Sequence, residues 1–387
     1  MTTEPRRLKG HKAAATCCIA SRDRPVVVTA GEDGRVCCFD MRCRDVQNVM
    51  DIGEQSISCL CYKTGDENFL YVSSGSVIQS YDMRMAAPET PLKSFKYNRE
   101  EVNQITCSPN AAFLASADDG GDIKIIDLRQ DCIYKALRGG HSSICSSVQF
   151  LPWRPWNVVT GGLDSKMITW NFSTGRQIKA VDFGTHDLKS PPISGLEKAL
   201  FVDAASDASN QDAAQCLNPA FAHSVAVPDA DMLENSGRIC AVARGDGVVD
   251  VIDVEELPLM RLRPTRSPYS LKKNRNAAAD VDANQMRRRL RLDFQCGGHT
   301  AAVSCVAFSQ FGEKGKLIIS GGNDKSVKVW NFAKYLDAVA DPADRNDILR
   351  MNISMTKKVN WLCTTPNESG NLVVCDTSKV VKVYTIS

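Results

Sequence analysis

The stretch from Leu137 to Phe172 decides the fold of this chain. It begins Leu-Arg-Gly-Gly-His and ends Met-Ile-Thr-Trp-Asn-Phe. Between these ends lie two apolar runs, Ile144 to Leu151 and Val158 to Thr160, and then a Gly-Gly-Leu-Asp turn. Short apolar runs bounded by Gly and Asp predict three strands joined by turns. A Gly-His pair that leads through such strands to a Trp-Asn pair is typical of one blade of a β-propeller.

The same pattern recurs along the chain. A second strong copy runs from Gly297-Gly298-His299 to Trp330-Asn331-Phe332. Weaker copies are marked by the ends of their third strands, which are Phe39-Asp40, Tyr81-Asp82, Ile126-Asp127, Ile252-Asp253 and Tyr384-Thr385. Successive third-strand ends lie 42, 45, 44, 82, 78 and 54 residues apart. The first three gaps match the blade period of about 40–45 residues. The longer gaps predict insertions at about 185–215, 258–286 and 333–355, with a short helix in the last.

These copies resemble the WD-repeat family. The resemblance implies an all-β fold, a seven-bladed WD-repeat β-propeller, formed by residues 1–387 as one domain. Residues 185–215 contain no alternating apolar run, which argues against an eighth blade in the longest gap. The sequence ends at Ser387, after the third strand of the seventh copy, so that blade needs an outer strand. We expect Arg6-Arg7-Leu8 to supply it, because this pairing would remove two exposed sheet edges.

Three copies repeat a set of polar residues at fixed spacing. In WD repeats, a His, a Ser or Thr, an Asp and a Trp form a hydrogen-bonded line inside the blade. The matching positions here are His141, Thr160, Asp164 and Trp170, then His299, Ser320, Asp324 and Trp330, and finally His11, Thr29 and Asp33, with Phe39 in place of the Trp. A single active site would not repeat in several blades, so we interpret these residues as structural rather than as a hydrolase triad.

Composition limits the classes of function. The chain is 43% hydrophobic and 24% charged, with a formal net charge of +2. This nearly neutral net charge produces no overall electrostatic field that would attract the whole protein to nucleic acid or to a membrane. We see no secretory signal and no apolar run long enough to span a membrane, so we expect a soluble protein of the nucleus, the cytoplasm or both. The 16 cysteines lack a Cys-x-x-Cys pair, and many fall in predicted strands. They are expected to be reduced core residues that bind no metal.

An Asp-x-Arg motif follows the third strand of three successive copies. Its residues are Asp40 and Arg42, Asp82 and Arg84, and Asp127 and Arg129. The stretch Leu114 to Arg129 resembles the DWD box, which marks WD proteins that serve as substrate receptors of cullin-4 RING ubiquitin ligases and dock on their DDB adaptor. The box prefers Trp before the Asp, whereas this chain has Phe, Tyr or Ile. An arginine at a blade edge offers a planar cationic fork to a partner. Alternatively, each Asp and Arg braces its turn.

Further blocks resemble a particular family of WD-repeat proteins, that of WD repeat-containing protein 53. They are Leu114–Asp119, Ser142–Val148, Cys216–Ser224 and Lys358–Leu362. The resemblance implies a non-catalytic scaffold or receptor of the cullin-4 system, with no cofactor, and it leaves the substrate open. No nucleophile elbow, phosphate loop or metal-ligand spacing occurs in the sequence, which disfavours an enzyme.

Two further features are candidates for binding. Asn360 and Trp361 lie at the entry of a first strand, so Trp361 is interpreted either as an exposed anchor for a partner or as a residue packed between blades. The basic stretch Arg261 to Arg291 is interpreted as a solvated loop, whose end forms the outer strand of the fifth blade, or as a nuclear import signal or weak nucleic-acid patch. We favour a cullin-4 substrate receptor. The alternative is a nuclear WD-repeat scaffold associated with chromatin or RNA; direct nucleic-acid binding is not favoured.

Overall fold

Seven four-stranded antiparallel sheets make up the part of the chain described by this computed structural model. The description covers residues 4–43, 45–85, 90–186, 218–257, 289–332 and 348–387. Blade 1 contains β2–β5 (Ala15–Ala20, Val26–Gly31, Arg35–Asp40, Val46–Asp51), and blade 2 contains β6–β9 (Ile57–Lys63, Asp66–Ser74, Val77–Asp82, Lys93–Phe95). Blade 3 contains β10–β13 (Val102–Cys107, Phe113–Asp118, Ile123–Asp127, Cys132–Leu137). Blade 4 contains β14–β17 (Cys145–Phe150, Asn157–Gly162, Lys166–Asn171, Arg176–Asp182).

The remaining blades follow the same order. Blade 5 contains β18–β21 (Ala222–Ala226, Ile239–Arg244, Val249–Asp253, Arg289–Leu292). Blade 6 contains β22–β25 (Val303–Phe308, Leu317–Gly322, Ser326–Asn331, Leu349–Ser354), and blade 7 contains β26–β28 (Val359–Thr364, Leu372–Asp376, Val380–Tyr384). The helices α1 (Phe183–His186) and α2 (Leu233–Ser236) are one turn each, and short 3-10 turns occupy Ala230–Met232 and Phe294–Cys296.

The ring closes as the sequence predicted. Strand β1 (Arg6–Lys9) is the outer strand of blade 7 and pairs antiparallel with β28, with Leu8 opposite Val381. The seven-bladed, all-β propeller is therefore confirmed. Residues from the start of the chain complete the last sheet, so both ends of the described chain are held in one blade.

The core lies between the blades. Seven hydrophobic clusters each join one blade to the next around the ring, and Trp170 and Trp330 are among the largest fully buried side chains. The burial follows from the sequence, because every third strand carries apolar residues on both faces and contacts a neighbouring blade on each side. Among the described residues, no helix has the length and apolarity needed to cross a membrane.

One predicted insertion ends earlier in the structure than in the sequence prediction. The outer strand of blade 6, Leu349–Ser354, falls inside the stretch 333–355 that was predicted as an insertion with a helix, so that insertion ends earlier than expected. The strand has the sequence Leu-Arg-Met-Asn-Ile-Ser, and its apolar and polar residues alternate in step with its burial. The signal for a strand was therefore present, and the end of the insertion was predicted too late in the sequence. Residues 187–217, 258–288 and 333–347, which hold most of the predicted insertions and nearly all of the basic stretch, lie outside the described residues.

Candidate functional site: two faces of the propeller

The hydrogen-bonded lines inside blades 1, 4 and 6 lie toward one end of the propeller, which we call the upper face. This face holds the turns between the second and third strands and the connections that enter each first strand. In blade 4, Asp164 lies 2.9 Å from His141 Nδ1, and Thr160 Oγ1 lies 2.8 Å from His141 Nε2. Trp170 Nε1 donates to Thr160 Oγ1 at 3.0 Å. The network fits a neutral imidazole that donates from Nδ1 to the carboxylate and accepts the threonine proton at Nε2.

The other two lines use the same geometry. In blade 6, His299 is hydrogen-bonded through Nδ1 to Asp324 Oδ1 at 3.0 Å and through Nε2 to Ser320 Oγ at 2.8 Å. Trp330 Nε1 donates to Ser320 Oγ at 2.9 Å. In blade 1, His11 joins Asp33 at 3.1 Å and Thr29 at 2.8 Å, and Phe39 leaves the hydroxyl without an indole donor. Burial lowers the pKa of His299, although Asp324 acts in the opposite direction. The lines therefore satisfy buried polar groups, and none places a nucleophile at an open surface.

A ring of side chains connects successive blades at the same upper end. In every blade, a β-bulge falls at the second residue of the first strand. A bulge redirects the extra side chain out of its own sheet. At six of the seven junctions, this side chain donates to the carbonyl of the first residue of the next blade's first strand: Thr16 to Ile57, Ser58 to Val102, Asn103 to Cys145, Ser146 to Ala222, Ser304 to Val359 and Asn360 to Ala15.

The seventh junction differs. His223 occupies the equivalent position in blade 5, and its imidazole makes no hydrogen bond to any residue that the structure describes. Burial lowers the pKa of His223, which favours the neutral ring. This set of connecting residues was missed in the sequence because Thr, Ser, Asn and His share no single motif. The position just inside each first strand was the available signal.

Asn360 is thus a blade-to-blade connector, with its Nδ2 donating to Ala15 O at 3.0 Å. Its neighbour Trp361 is partly buried against the hydrophobic clusters of blades 6, 7, 1 and 2. The Trp361 ring also lines the central cavity of about 680 Å³. The structure therefore places Trp361 at the channel wall, packed between blades, and its role as an anchor for a partner stays a prediction.

The opposite end, which we call the lower face, holds the turns between first and second strands and between third and fourth strands. Here Arg22 from blade 1 forms a 2.5 Å ion pair with Asp229 from blade 5. Gln310 from blade 6 also donates to Asp229, at 2.8 Å. All three residues line the central cavity. The Arg22–Asp229 pair joins non-adjacent blades, so it crosses the lower mouth of the cavity.

The three Asp-x-Arg motifs lie on this lower face and do not share one geometry. Arg42 Nε lies 3.0 Å from Asp40 Oδ1, and Arg42 Nη2 lies 2.5 Å from Oδ2. Arg84 holds Asp82 in the same way, at 2.9 and 2.5 Å. The hydrogen bonds from Arg42 lower the pKa of Asp40 to about 2, and those from Arg84 lower the pKa of Asp82 to about 2. Both arginines remain 75% and 63% exposed, respectively.

Arg129 is different. Asp127 Oδ1 accepts from the backbone N–H groups of Arg129 and Gln130, at 2.8 and 3.1 Å. The Arg129 guanidinium is exposed, and it forms no ion pair or hydrogen bond with the described residues. The aspartate therefore fixes the turn through the backbone alone, and it leaves the cationic fork of Arg129 available to a partner.

Blade 5 contains a buried ion-pair network in place of the His-Ser/Thr-Asp-Trp line. Asp250 is fully buried and accepts from Arg244 Nη1 at 2.7 Å and from Arg289 Nε at 2.6 Å. Both guanidinium groups also lie about 5 Å from the Phe183 ring. Burial opposes ionisation of Asp250, but the two arginines lower its pKa to about 2. Sequence reasoning missed this network because its members come from four separate elements.

No group of three or more His, Cys, Asp or Glu residues that could hold a metal occurs within the described ranges. The free cysteines there are mostly buried, and burial is the main cause that raises the pKa of Cys37 to about 12 and of Cys59 to about 11. Such thiols are mainly protonated near neutral pH and act as small apolar side chains.

Comparison with known proteins agrees with this architecture. The family model described as WD domain, G-beta repeat matches residues 3–40, 89–127 and 291–331. The chain is a seven-bladed β-propeller with WD repeats at these residues. WD40 propellers typically bind protein partners and are generally non-catalytic scaffolds.

Individual relatives share a low sequence identity with this chain. The chain is 22% identical to the WD repeat-containing protein 53 homolog of Dictyostelium discoideum over 98% of its own length and 94% of the relative's length. It is 24% identical to human nucleoporin Nup43 over 42% of this chain and 43% of Nup43. The crystal structure of the WD40 beta propeller domain of Doa1 superposes with a TM-score of 0.65, covering 99% of this chain and 97% of that one. Its 14% sequence identity supports the fold alone.

Proposed function

We propose that this propeller is a substrate receptor of a cullin-4 RING ubiquitin ligase and that it docks on the DDB adaptor through its lower face. The observation that carries the proposal is the Arg129 guanidinium, which has no partner among the described residues and lies at the end of a stretch that resembles the DWD box. The similarity to WD repeat-containing protein 53 homolog over nearly the whole chain supports the same assignment.

Comparison among the lower-face turns supports Arg129 as the docking residue. In five described turns, an Asp or Asn at the end of the third strand accepts a hydrogen bond from a backbone N–H. The side chain two residues after that Asp or Asn can face outward. Four of these side chains are engaged: Arg42 by Asp40, Arg84 by Asp82, Ser173 by Asn171, and Glu255 by Arg154 and Trp153. Only Arg129 among these five is unengaged, so it can bind a partner without first breaking an internal ion pair.

The test is an affinity pull-down with the DDB adaptor. We expect wild type to bind and Arg129→Ala to lose most of the binding. Arg42→Ala and Arg84→Ala are matched controls, because they remove an arginine from equivalent turns where the guanidinium already has a partner. We expect both to retain most of the binding. Thermal melting of each variant shows that it is folded.

Two results would overturn the proposal. If folded wild type does not capture the adaptor, the receptor assignment is wrong. If Arg129→Ala binds like wild type while Arg42→Ala or Arg84→Ala does not, docking occurs at another edge and the free guanidinium is irrelevant.

A further inference from the structure

Four aromatic rings form a cluster between blades 3 and 4 at the lower end of the propeller. Phe113 and Phe172 are buried, whereas Tyr134 and Trp156 are 38% and 44% exposed. Phe113 lies opposite Asp127 in the sheet, which places the cluster at the same end as the Arg129 turn. We call these four residues the blade 3–4 aromatic surface.

The cluster is a fixed platform. The ring centroid of Phe113 lies 5.0 Å from that of Tyr134, and the centroid of Phe172 lies 5.4 Å from that of Trp156. The ring centroids of Tyr134 and Trp156 lie 6.4 Å apart, with an angle of 29° between the ring planes. The turn that carries Trp156 is also held, because Trp156 O accepts from Phe172 N at 2.9 Å. Two exposed rings held by two buried rings lose little conformational entropy when a partner covers them.

The charges around this surface are mostly basic and unpaired. Lys135 follows Tyr134, and its side chain lies against the Gly175 turn of blade 4, with Arg176 as the next residue. Neither Lys135 nor Arg176 forms an ion pair with the described residues. By contrast, neighbouring carboxylates are already engaged, since Asp131 pairs with Lys93 at 2.6 Å and Glu255 pairs with Arg154 at 2.5 Å.

Exposed aromatic rings beside basic side chains are typical of the energetic centre of a protein interface. We infer that the blade 3–4 aromatic surface docks an acidic protein segment that inserts an aliphatic or aromatic side chain against Tyr134 and Trp156 and places carboxylates near Lys135 and Arg176. The inference goes beyond the proposed function, because it requires no particular adaptor and concerns a surface that does not include Arg129.

Selection from a random peptide library displayed on phage tests the inference. Folded wild type is the bait, and the enriched peptides are then measured individually by fluorescence polarisation. We expect enriched sequences to carry Asp or Glu on both sides of a large apolar residue. Trp156→Ala and Tyr134→Ala should each weaken their binding by about tenfold or more, as expected for an anchor residue. Arg176→Glu should weaken it severalfold and more strongly at low salt.

The matched control is Leu92→Ala, which removes an exposed apolar side chain from blade 2 and should leave peptide affinity unchanged. Arg176→Glu changes only an exposed side chain, so it tests the inference even if an aromatic variant fails to fold. The inference is overturned if no peptide is enriched, if enriched peptides lack carboxylates, or if they bind the Tyr134, Trp156 and Arg176 variants like wild type.

A second copy of the chain is the competing occupant. Sedimentation that shows a concentration-dependent dimer abolished by Trp156→Ala would assign the surface to self-association and overturn the inference. The adaptor pull-down is a separate result: a failed pull-down with wild type removes the proposed function, whereas peptide selection can still succeed at this surface.

Discussion

Replacing Thr160 by Val in blade 4 tests how the buried polar line stabilises a blade. Valine has nearly the shape of threonine but lacks the hydroxyl, so packing is retained. The hydroxyl accepts from Trp170 Nε1 at 3.0 Å and joins His141 Nε2 at 2.8 Å. Both partners are buried, so Thr160→Val leaves one donor and one acceptor without hydrogen bonds.

Blade 1 provides the matched control. Thr29 Oγ1 is hydrogen-bonded to His11 Nε2 at 2.8 Å, but Phe39 occupies the position of the indole. Thr29→Val therefore leaves a single buried group without its hydrogen bond. An unsatisfied buried polar group costs about 1–3 kcal/mol. We therefore expect the free energy of unfolding to fall by about 2–6 kcal/mol for Thr160→Val and by about half as much for Thr29→Val.

The assay is calorimetric melting of the whole chain. Unfolding entropy of about 2.1 cal/mol/K per residue gives about 0.8 kcal/mol/K for 387 residues. The Tm should then fall by about 2–7 °C for Thr160→Val and by about 1–4 °C for Thr29→Val. Equal losses of stability in the two blades, or a larger loss in blade 1, would refute the reasoning that the number of unsatisfied buried groups determines the loss of unfolding free energy.

Three further predictions concern the junctions, the buried charges and pH. Ser304→Ala removes the 2.6 Å hydrogen bond to Val359 O, so amide exchange at the junction of blades 6 and 7 should accelerate with a loss of about 1 kcal/mol; unchanged exchange there would contradict the connecting role. Asp250→Asn leaves two arginines facing a neutral buried amide, and thermal melting should show a loss of about 3–5 kcal/mol, whereas a wild-type Tm would contradict this. Burial lowers the pKa of His299, so the unfolded chain binds that proton first and stability should fall as pH drops below about 6.5. Burial opposes ionisation of Asp324, but hydrogen bonds led by His299 lower its pKa, so a second loss should follow below about pH 3.9; a Tm constant from pH 8 to pH 3 would contradict both signs.

The repeat pattern predicted most of the fold because each blade encodes its own strands locally. Gly-His at 140–141, the Gly-Asp turns and the third-strand ends located the blades, and the missing outer strand of blade 7 pointed to Arg6–Leu8. The outer strand Leu349–Ser354 was missed although its apolar and polar residues alternate, because it lies beyond the insertion and outside the three-strand pattern that located the blades. The Asp250 network was also missed, since Arg244, Asp250, Arg289 and Phe183 come together only when blade 5 packs against α1.

The candidate site shows a different limit. The sequence identified Arg42, Arg84 and Arg129 as equivalent, because the Asp-x-Arg motif is the same in each. The structure separates them by what the aspartate binds. Asp40 and Asp82 each accept both a backbone N–H and a guanidinium, whereas Asp127 accepts two backbone N–H groups. Local sequence specifies the turn, but side-chain partner choice depends on the geometry of the whole hairpin.

The two faces of the propeller differ in their polar contacts. Buried hydrogen-bonded lines and blade-to-blade connectors concentrate at the upper end, where a change at one residue disturbs both a blade and its neighbour. At the lower end of five blades, an Asp or Asn at the end of the third strand fixes the following turn through the backbone, so the side chain two residues later can vary without loss of the turn. That position is Arg in three blades, Ser173 in blade 4 and Glu255 in blade 5. The turn does not depend on this side chain, and Arg129 is the one of the five that makes no hydrogen bond or ion pair with the described residues. The lower face is therefore where we expect docking specificity to be encoded.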